Sequence, residues 1–484
     1  MRWNGGARRA AGCREPVDEV VLSAADVAHA TGGRILHGDG AVPIGRVSID
    51  SRRIEPGDLF IALAGERFDG HRFVGEAIRG GAVGAVVHTA PAAPAGAGPA
   101  PVLIQVADTT RALQDLARHV RRASGSTVVA ITGSAGKTTT KEIAAAFLAS
   151  RFAVLKNRGN LNNHIGLPLS LLELRARPQV AVVELGMNHP GEIRTLVGIA
   201  EPEVRVWTNV GDAHLGFFAS ADAIADAKAE ILEGARPEDV LVANGNDARV
   251  MQRARRFAGR VVTFGIDIPA DVAASGVRQL GLDGMEADVT TSAGTARVRT
   301  PLLGLGNLSN ILAAVAVGTH MGVPLADMAA AAGRLEAAPH RGELLRLPGG
   351  ITLLDDSYNS SPAALKRALE TVARATGSAR KVAVLGEMLE LGAHAERLHR
   401  ECGRAAAESA LDLLVAVGGA PAVALAEEAV RAGMPERCVS HAATSEEAAG
   451  AVLGQVRPGD LVLVKGSRGI GTDRVVERLK EEFA

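Results

Sequence analysis

Between Val128 and Glu142 the chain reads VVAITGSAGKTTTKE: an apolar run, a glycine-rich turn, a lysine and three threonines. Residue types in that order suit a polyphosphate. The glycines let backbone N–H groups converge on an anion, and a helix beginning at the lysine adds partial positive charge. Thr132, Gly133, Ser134, Ala135, Gly136, Lys137, Thr138 and Thr139 form the expected nucleotide cradle. Lys137 is placed to reach the terminal phosphates, and the Thr138 hydroxyl to ligate Mg²⁺. The full P-loop pattern has glycine where Ile131 stands here, so this is the shorter form. The alternative is a plain glycine turn opening a helix. An apolar strand before the turn and a helical pattern after it favour mononucleotide binding.

Further polar residues end apolar strands downstream. Glu184 follows VAVV, and His214 lies past VRVWTNVG. Ligands gather at the carboxyl ends of strands in parallel sheets, where a carboxylate and an imidazole could hold a second divalent ion. Taken singly, Glu184 is as well read as a buried structural carboxylate, and His214 better as a satisfied core or loop histidine. Beside a phosphate cradle the pair favours metal. Asn160, Asn162 and Asn163 in GNLNNHIG offer neutral hydrogen bonding to a polar ligand, or an Asn-rich turn before a helix.

The elements that must position these residues follow from length and pattern. A chain of 484 residues suggests about three domains. Residues 18–123 alternate short strands (GDLFIAL, GAVGAVVH) and helices, including TTRALQDLARHVRR, with a low-complexity loop over 91–101. Residues 124–335 alternate STVVAIT, VAVVELG and VRVWTNVG with helices, the pattern of a doubly wound, mostly parallel sheet. Residues 336–484 carry GITLLDDSY, KVAVLGE, LDLLVAVG and DLVLVKGS, which reads as a Rossmann-like α/β domain. The fold class is therefore α/β in three domains. The start, residues 1–17, is basic without a secretory apolar stretch and is expected to be a disordered tail.

Composition limits the function. Apolar residues make up 47% and the formal net charge is -1, so no global field recruits nucleic acid or an anionic membrane. Cys13, Cys402 and Cys438 are too far apart for a metal site and read as reduced thiols. No run is long and apolar enough to span a bilayer, which points to a cytoplasmic protein, expected to be a monomer.

TGSAGKTTTKE, GNLNNHIGLPL, ELGMNHPGEI, AHLGFF, ADAKAEIL, GNLSNILAA, APHRGE, LLDDSYNSSP, VLGEMLELG and VKGSRG occur in this order. From about residue 20 to the end, the set resembles the Mur ligases of peptidoglycan precursor synthesis. It is most similar to the members that join D-alanyl-D-alanine to a UDP-N-acetylmuramoyl tripeptide. The resemblance implies a small α/β UDP-binding domain, a central P-loop domain and a C-terminal Rossmann-like ligase domain. It implies an ATP-dependent reaction through an acyl phosphate, with two Mg²⁺ ions. By position it assigns Lys137 and Thr138 to phosphate and the first ion, and Glu184 and His214 to the second. Lys228 matches a lysine that relatives carry as N6-carboxylysine; by spacing alone it is an ordinary helix-surface lysine. Asn307 and Asn310 match an adenine- and ribose-side helix, with Gly306 where members usually have His. Arg341 matches a hinge arginine that reaches the γ-phosphate. Asp356, Tyr358 and Asn359 match a third-domain nucleotide contact. Lys465, Ser467 and Arg468 would face the substrate's reacting end, and Ser51 and Arg52 the uridine diphosphate. Lys137, Lys228, His214 and Arg341 are thus the implied catalytic set.

Rival members read less well. The ligase adding the third residue typically carries an Asp-Asn-Pro-Arg stretch, which this chain lacks. Folylpolyglutamate synthase shares a similar core, but the UDP-type first domain and LLDDSYNSSP argue against it. A non-catalytic nucleotide-binding relative is disfavoured by the intact Lys137, Glu184, His214 and Arg341.

Overall fold

A computed structural model describes residues 19–65, 68–89, 100–211 and 215–483. The expected tail, most of the low-complexity loop and His214 lie outside the described residues. The chain packs as two units. One takes residues up to Ser126 together with Ile165–Ala181, and the other takes Thr127–His164 and Val182 onward.

The first unit is built on a five-stranded sheet, ordered Arg34–His37, Val102–Gln105, Gly84–Val87, Leu59–Ile61, Val47–Ser48. All neighbours are parallel except the first pair. Phe60, Ala85, Val87 and Leu103 point to one core with Val74 and Ala77. The expected helix spans Thr109–Ser124. Asp108 caps it by accepting from the Thr110 and Arg111 amides at 2.7 and 3.0 Å, and Gly125 ends it with φ 69°. Its apolar face, with Leu113, Leu116 and Val120, packs against the helix Gly166–Leu172. That packing is why residues 165–181 go with this unit, although the sequence pattern groups them with the P-loop segment.

The second unit carries two sheets. The nine-stranded one has Thr127–Thr132 at its topological switch point, with Val180–Glu184 on one side and Val204–Trp207 on the other. Val204–Trp207 pairs parallel with Thr127–Thr132 and with Val240–Asn244. These strands are buried on both faces, as their unbroken Val/Ile/Ala/Leu runs require. The far edge departs from the alternating pattern: Val272–Gln279, Met285–Thr291 and Gly294–Thr300 form an antiparallel meander. The six-stranded sheet runs Glu343–Arg346, Thr352–Asp356, Leu461–Lys465, Lys381–Gly386, Leu413–Val417, Val439–Ala442. All but its first pair are parallel. Its switch point is Leu461–Lys465, in register with Asp356 on one side and Leu385 on the other. Two switch points give two ligand crevices.

One buried ion pair braces the nine-stranded sheet. Arg205 is fully buried and donates to Asp239 at 2.8 Å, its guanidinium 5.6 Å from the Phe257 ring centre. Burial opposes the Asp239 charge, yet the Arg236 amide and the Arg205 guanidinium hold its carboxyl below the ordinary range. Asp239→Ala leaves the Arg205 charge buried and unpaired. We expect a loss of about 3–5 kcal/mol, read as an earlier urea midpoint, whereas a change under 1 kcal/mol refutes the brace.

Candidate functional site

The phosphate cradle is built by close backbone approach. Past Thr132 the chain turns at Gly133 and Gly136, and the helix Lys137–Leu148 begins. A Cβ on Gly133 would sit 1.9 Å from the Thr208 hydroxyl, and one on Gly136 2.2 Å from Asn310 Oδ1. Only glycine fits either place. No side chain among the described residues caps this helix, so its first N–H groups are left for a ligand. The loop is stapled from the neighbouring strand end. Asn209 accepts from the Ser134 amide through its carbonyl (3.0 Å) and from the Ala135 amide through its side chain (2.9 Å). The Thr208 hydroxyl donates to the Ala135 carbonyl at 2.7 Å. Thr208 and Asn209 were not singled out by sequence; their signal was two polar residues just past a buried strand.

Charged side chains gather around the cradle. Lys137 is partly buried and donates to the Gly133 carbonyl at 2.8 Å. Burial pushes its pKa down and Arg341 adds to this, while Glu184 opposes it. Lys228, on the helix Ala221–Ala229, is 1% exposed, and burial together with the Lys137 charge pushes it well below the usual lysine range. It is no surface lysine. Glu184 is 3% exposed; one oxygen accepts from Thr138 Oγ1 at 2.7 Å and the other from Asn162 Nδ2 at 2.8 Å. A lysine beside a glycine cradle suits an arriving polyanion, whose charge would favour the ammonium form that burial opposes. The Thr138 and Glu184 oxygens are hard donors, the kind Mg²⁺ takes.

The Asn-rich loop is joined to this cluster through Asn162, whereas Asn160 and Asn163 are exposed. Thr139 instead lines a groove with Glu142, Lys156 and Arg334. Asn310 bonds the Thr140 hydroxyl (3.2 Å) and Asn307 (3.3 Å), tying the helix Gly304–His320 to the cradle. Beside Gly306 the nearest side-chain atom to a Cβ position is Arg367 Nε, at 3.6 Å.

At the second switch point Lys465, 3% exposed, donates to Asp356 (2.7 Å) and to the Asn359 carbonyl (2.9 Å). Arg341 stacks on Tyr358 with its guanidinium carbon 3.9 Å from the ring centre, and Arg468 donates to the Tyr358 hydroxyl at 3.2 Å. The residue before Arg341, His340, has φ 62° and bonds the buried Asp355 at 2.7 Å, which fixes the turn that presents the arginine. A cavity of about 160 Å³ is lined by Asn359, Ser360, Leu389, Glu390, Ser467 and Arg468, among others. Ser467 is partly spent on structure: its hydroxyl accepts from the Leu389 amide at 2.9 Å. Gly216 donates to the Glu390 carbonyl at 2.7 Å, so the cavity's rim touches the segment just past His214.

In the first unit Arg52 forms a forked pair with Asp50, both bonds 2.9 Å, which holds the Asp50 carboxyl down at about 2. The Ser51 hydroxyl bonds Glu76 at 3.2 Å. Of the cysteines described, Cys402 is buried, which pushes its thiol up to about 12, and Cys438 is partly exposed. No helix among the described residues is long and apolar enough to cross a membrane.

Three family models match the chain. They are the Mur ligase family catalytic domain over residues 43–121, the Mur ligase middle domain over 131–318, and the Mur ligase glutamate ligase domain over 340–468. The chain is 36% identical over 437 residues to the UDP-N-acetylmuramoyl-tripeptide–D-alanyl-D-alanine ligase of Bacillus subtilis, covering 90% of this chain and 93% of that protein. The crystal structure of MurF from Acinetobacter baumannii matches with a TM-score of 0.86 at 33% identity, covering 96% of this chain and 100% of that one. MurF ligase from Thermotoga maritima, solved in complex with ADP, matches with a TM-score of 0.79 at 30% identity, covering 90% and 97%.

One cavity-lining loop rests on a neutral histidine. His399 is fully buried; Nδ1–H donates to the Ala395 carbonyl (2.7 Å) and Nε2 accepts from the Met388 amide (2.9 Å). Burial pushes its pKa below the ordinary 6.5, against weaker opposing pulls from Ala395 and Glu387. The unfolded chain therefore takes up this proton first. The stability His399 supplies is complete above pH 6.5 and drains as pH falls below it, with a slope approaching about 1.4 kcal/mol per pH unit. His399→Gln should flatten urea midpoints between pH 7.5 and 5.5 relative to the parent; equal slopes would refute the assignment.

Proposed function

The chain belongs to the Mur ligase family, and we propose that it joins D-alanyl-D-alanine to a UDP-N-acetylmuramoyl tripeptide with ATP as phosphoryl donor. The product is the UDP-linked pentapeptide precursor of the cell wall. What carries the reading is the likeness to D-alanyl-D-alanine-adding relatives over nine-tenths of the chain, together with a cation-lined phosphate cradle.

The reaction has two steps. The tripeptide's terminal carboxylate attacks the γ-phosphorus; a carboxylate–phosphorus bond forms, the bond to the bridging oxygen breaks, and ADP leaves. The amine of D-alanyl-D-alanine then attacks the acyl carbon, gives up a proton, and inorganic phosphate departs. Both reactants of the first step are anionic, so their approach requires neutralisation. Lys137 and the uncapped helix start hold the phosphates, and Arg341 reaches the γ-phosphate from the hinge. Asn307 and Asn310 take the adenosine side, helped by Asp356, Tyr358 and Asn359 from the second crevice.

Thr138 and Glu184 hold Mg²⁺ in this reading, and His214, on the family pattern, a second ion. Bound there, the ions would supply neutralising charge to the γ-phosphate and the attacking carboxylate. Lys228 fits a carbamate: burial and the Lys137 charge favour its free amine, the form that captures CO₂, and the resulting anion would offset Lys137. Ser51 and Arg52 receive the uridine diphosphate, with Arg52 exchanging its Asp50 partner for phosphate. Asn160, Asn162 and Asn163 bond the peptide. Lys465, Ser467 and Arg468 order the reacting end, and the cavity beside them admits the dipeptide, its carboxylate toward Arg468. UDP-linked substrates and ATP place the reaction in the cytoplasm, and all assigned residues lie in one chain, so a monomer suffices.

Phosphate release should require ATP, the UDP-tripeptide and D-alanyl-D-alanine together, with a pentapeptide product by mass. Release with a UDP-dipeptide and a free amino acid instead would move the chain to the third-residue ligase. Lys228→Ala should lose about 10²–10³-fold in kcat, the cost of removing one oriented charge. A short-chain carboxylate additive should restore part of it. Unimpaired turnover would remove Lys228 from the mechanism.

A further inference from the structure

One turn beyond Thr138 on the same helix stands a second lysine, Lys141, that the reaction above does not use. It is 1% exposed, and its ammonium donates to the main-chain carbonyl of Asn157 at 2.7 Å. Glu142 Oε1 lies 3.2 Å away, and the other oxygen of that carboxylate pairs with Lys156. Burying an ammonium is costly, and an apolar side chain of similar length would fill the space without that cost. What the ammonium holds is informative. Asn157, also 1% exposed, donates its side-chain N–H to the Leu161 carbonyl at 3.0 Å and accepts the Glu184 amide on Oδ1 at 3.0 Å. Leu161 lies between Asn160 and Asn162. Asn162 in turn bonds the Glu184 carboxylate, and its carbonyl accepts from the Gly186 amide at 2.8 Å. The second Glu184 oxygen returns to Thr138. The chain of bonds therefore leaves the helix at Lys141 and re-enters it at Thr138.

We propose that Lys141, acting through Asn157, is a positioning residue that sets the orientation of the Glu184 carboxylate and of the Asn-rich loop relative to the phosphate cradle. The inference rests on the reading of Thr138 and Glu184 as cation ligands. Lys141 touches neither nucleotide nor cation. It fixes a residue whose side chain bonds both the Glu184 main chain and the loop at Leu161, so losing it loosens the cation's ligands while leaving the glycine cradle whole. Outer partners of metal ligands typically carry 10–100-fold in metal affinity.

The test is binding of Mn²⁺ in the presence of a nonhydrolysable ATP analogue, read by electron paramagnetic resonance on the full chain. Melting temperature and analogue affinity without divalent ion are measured alongside. Lys141→Met should weaken Mn²⁺ about tenfold and leave ion-free analogue affinity within twofold. Lys141→Arg, which can reach the same carbonyl, should recover most of the loss. Asn157→Ala keeps the carbonyl that Lys141 grips but drops both side-chain bonds. It should reproduce the Mn²⁺ defect even if Lys141→Met does not fold. Glu184→Gln separates the two layers. If it leaves Mn²⁺ binding intact, the cation reading fails and this inference with it. If it weakens Mn²⁺ while Lys141→Met and Asn157→Ala only lower the melting temperature, Lys141 is structural and the proposal is overturned.

Discussion

Lys137 lies within electrostatic reach of Glu184, Arg341 and Lys228, three groups brought together from distant parts of the sequence. Burial pushes both lysines toward the uncharged form. Such an arrangement costs stability in the empty protein and repays it when an anion arrives, because water is already excluded and the donors are already aimed. The Thr138–Glu184 bond sits at its centre and links the cradle helix to the neighbouring strand.

Two sheets supply the reach this requires. Parallel strands bring their carboxyl ends to one edge, and a switch in strand order opens a crevice there. The first crevice takes Thr132, Glu184 and Thr208 from three adjacent strands; the second takes Asp356 and Lys465 from two. Arg341 is stacked on Tyr358 and turned by His340, whose left-handed backbone is held by Asp355. The Gly216–Glu390 bond is a point where the two crevices touch. Side chains from separate sheets are thus gathered at adjoining crevices, which suits a reaction that brings several substrates together.

Rigidity is unevenly distributed. Backbone staples from Asn209 and Thr208 restrain the cradle, and the two glycines admit no side chain at their close approaches. The second crevice depends on longer-range props: His399 on Met388, Ser467 on Leu389. Each is a single bond to a loop amide.

Much of the fold could be read from the sequence, as could the polar residues that end its buried strands. Strands buried on both faces declare themselves as unbroken apolar runs, and the Thr109–Ser124 helix by its period and Asp108 cap. The glycine–lysine–threonine turn carries its own chemistry. The antiparallel meander did not show, because its strands read locally like the parallel ones, and pairing direction is set by what lies across the sheet. Nor did the packing of residues 165–181 with the first unit, a contact between helices far apart in sequence. The state of Lys228 was decided only by tertiary structure: spacing alone reads it as a surface lysine, and its burial comes from the elements around its helix. The same holds for Lys141 and Asn157, ordinary polar residues in sequence. Residue types fix which groups are available. Which of them lose water and face one another is fixed when the chain closes, and that desolvation turns a lysine into a switchable charge or a clamp.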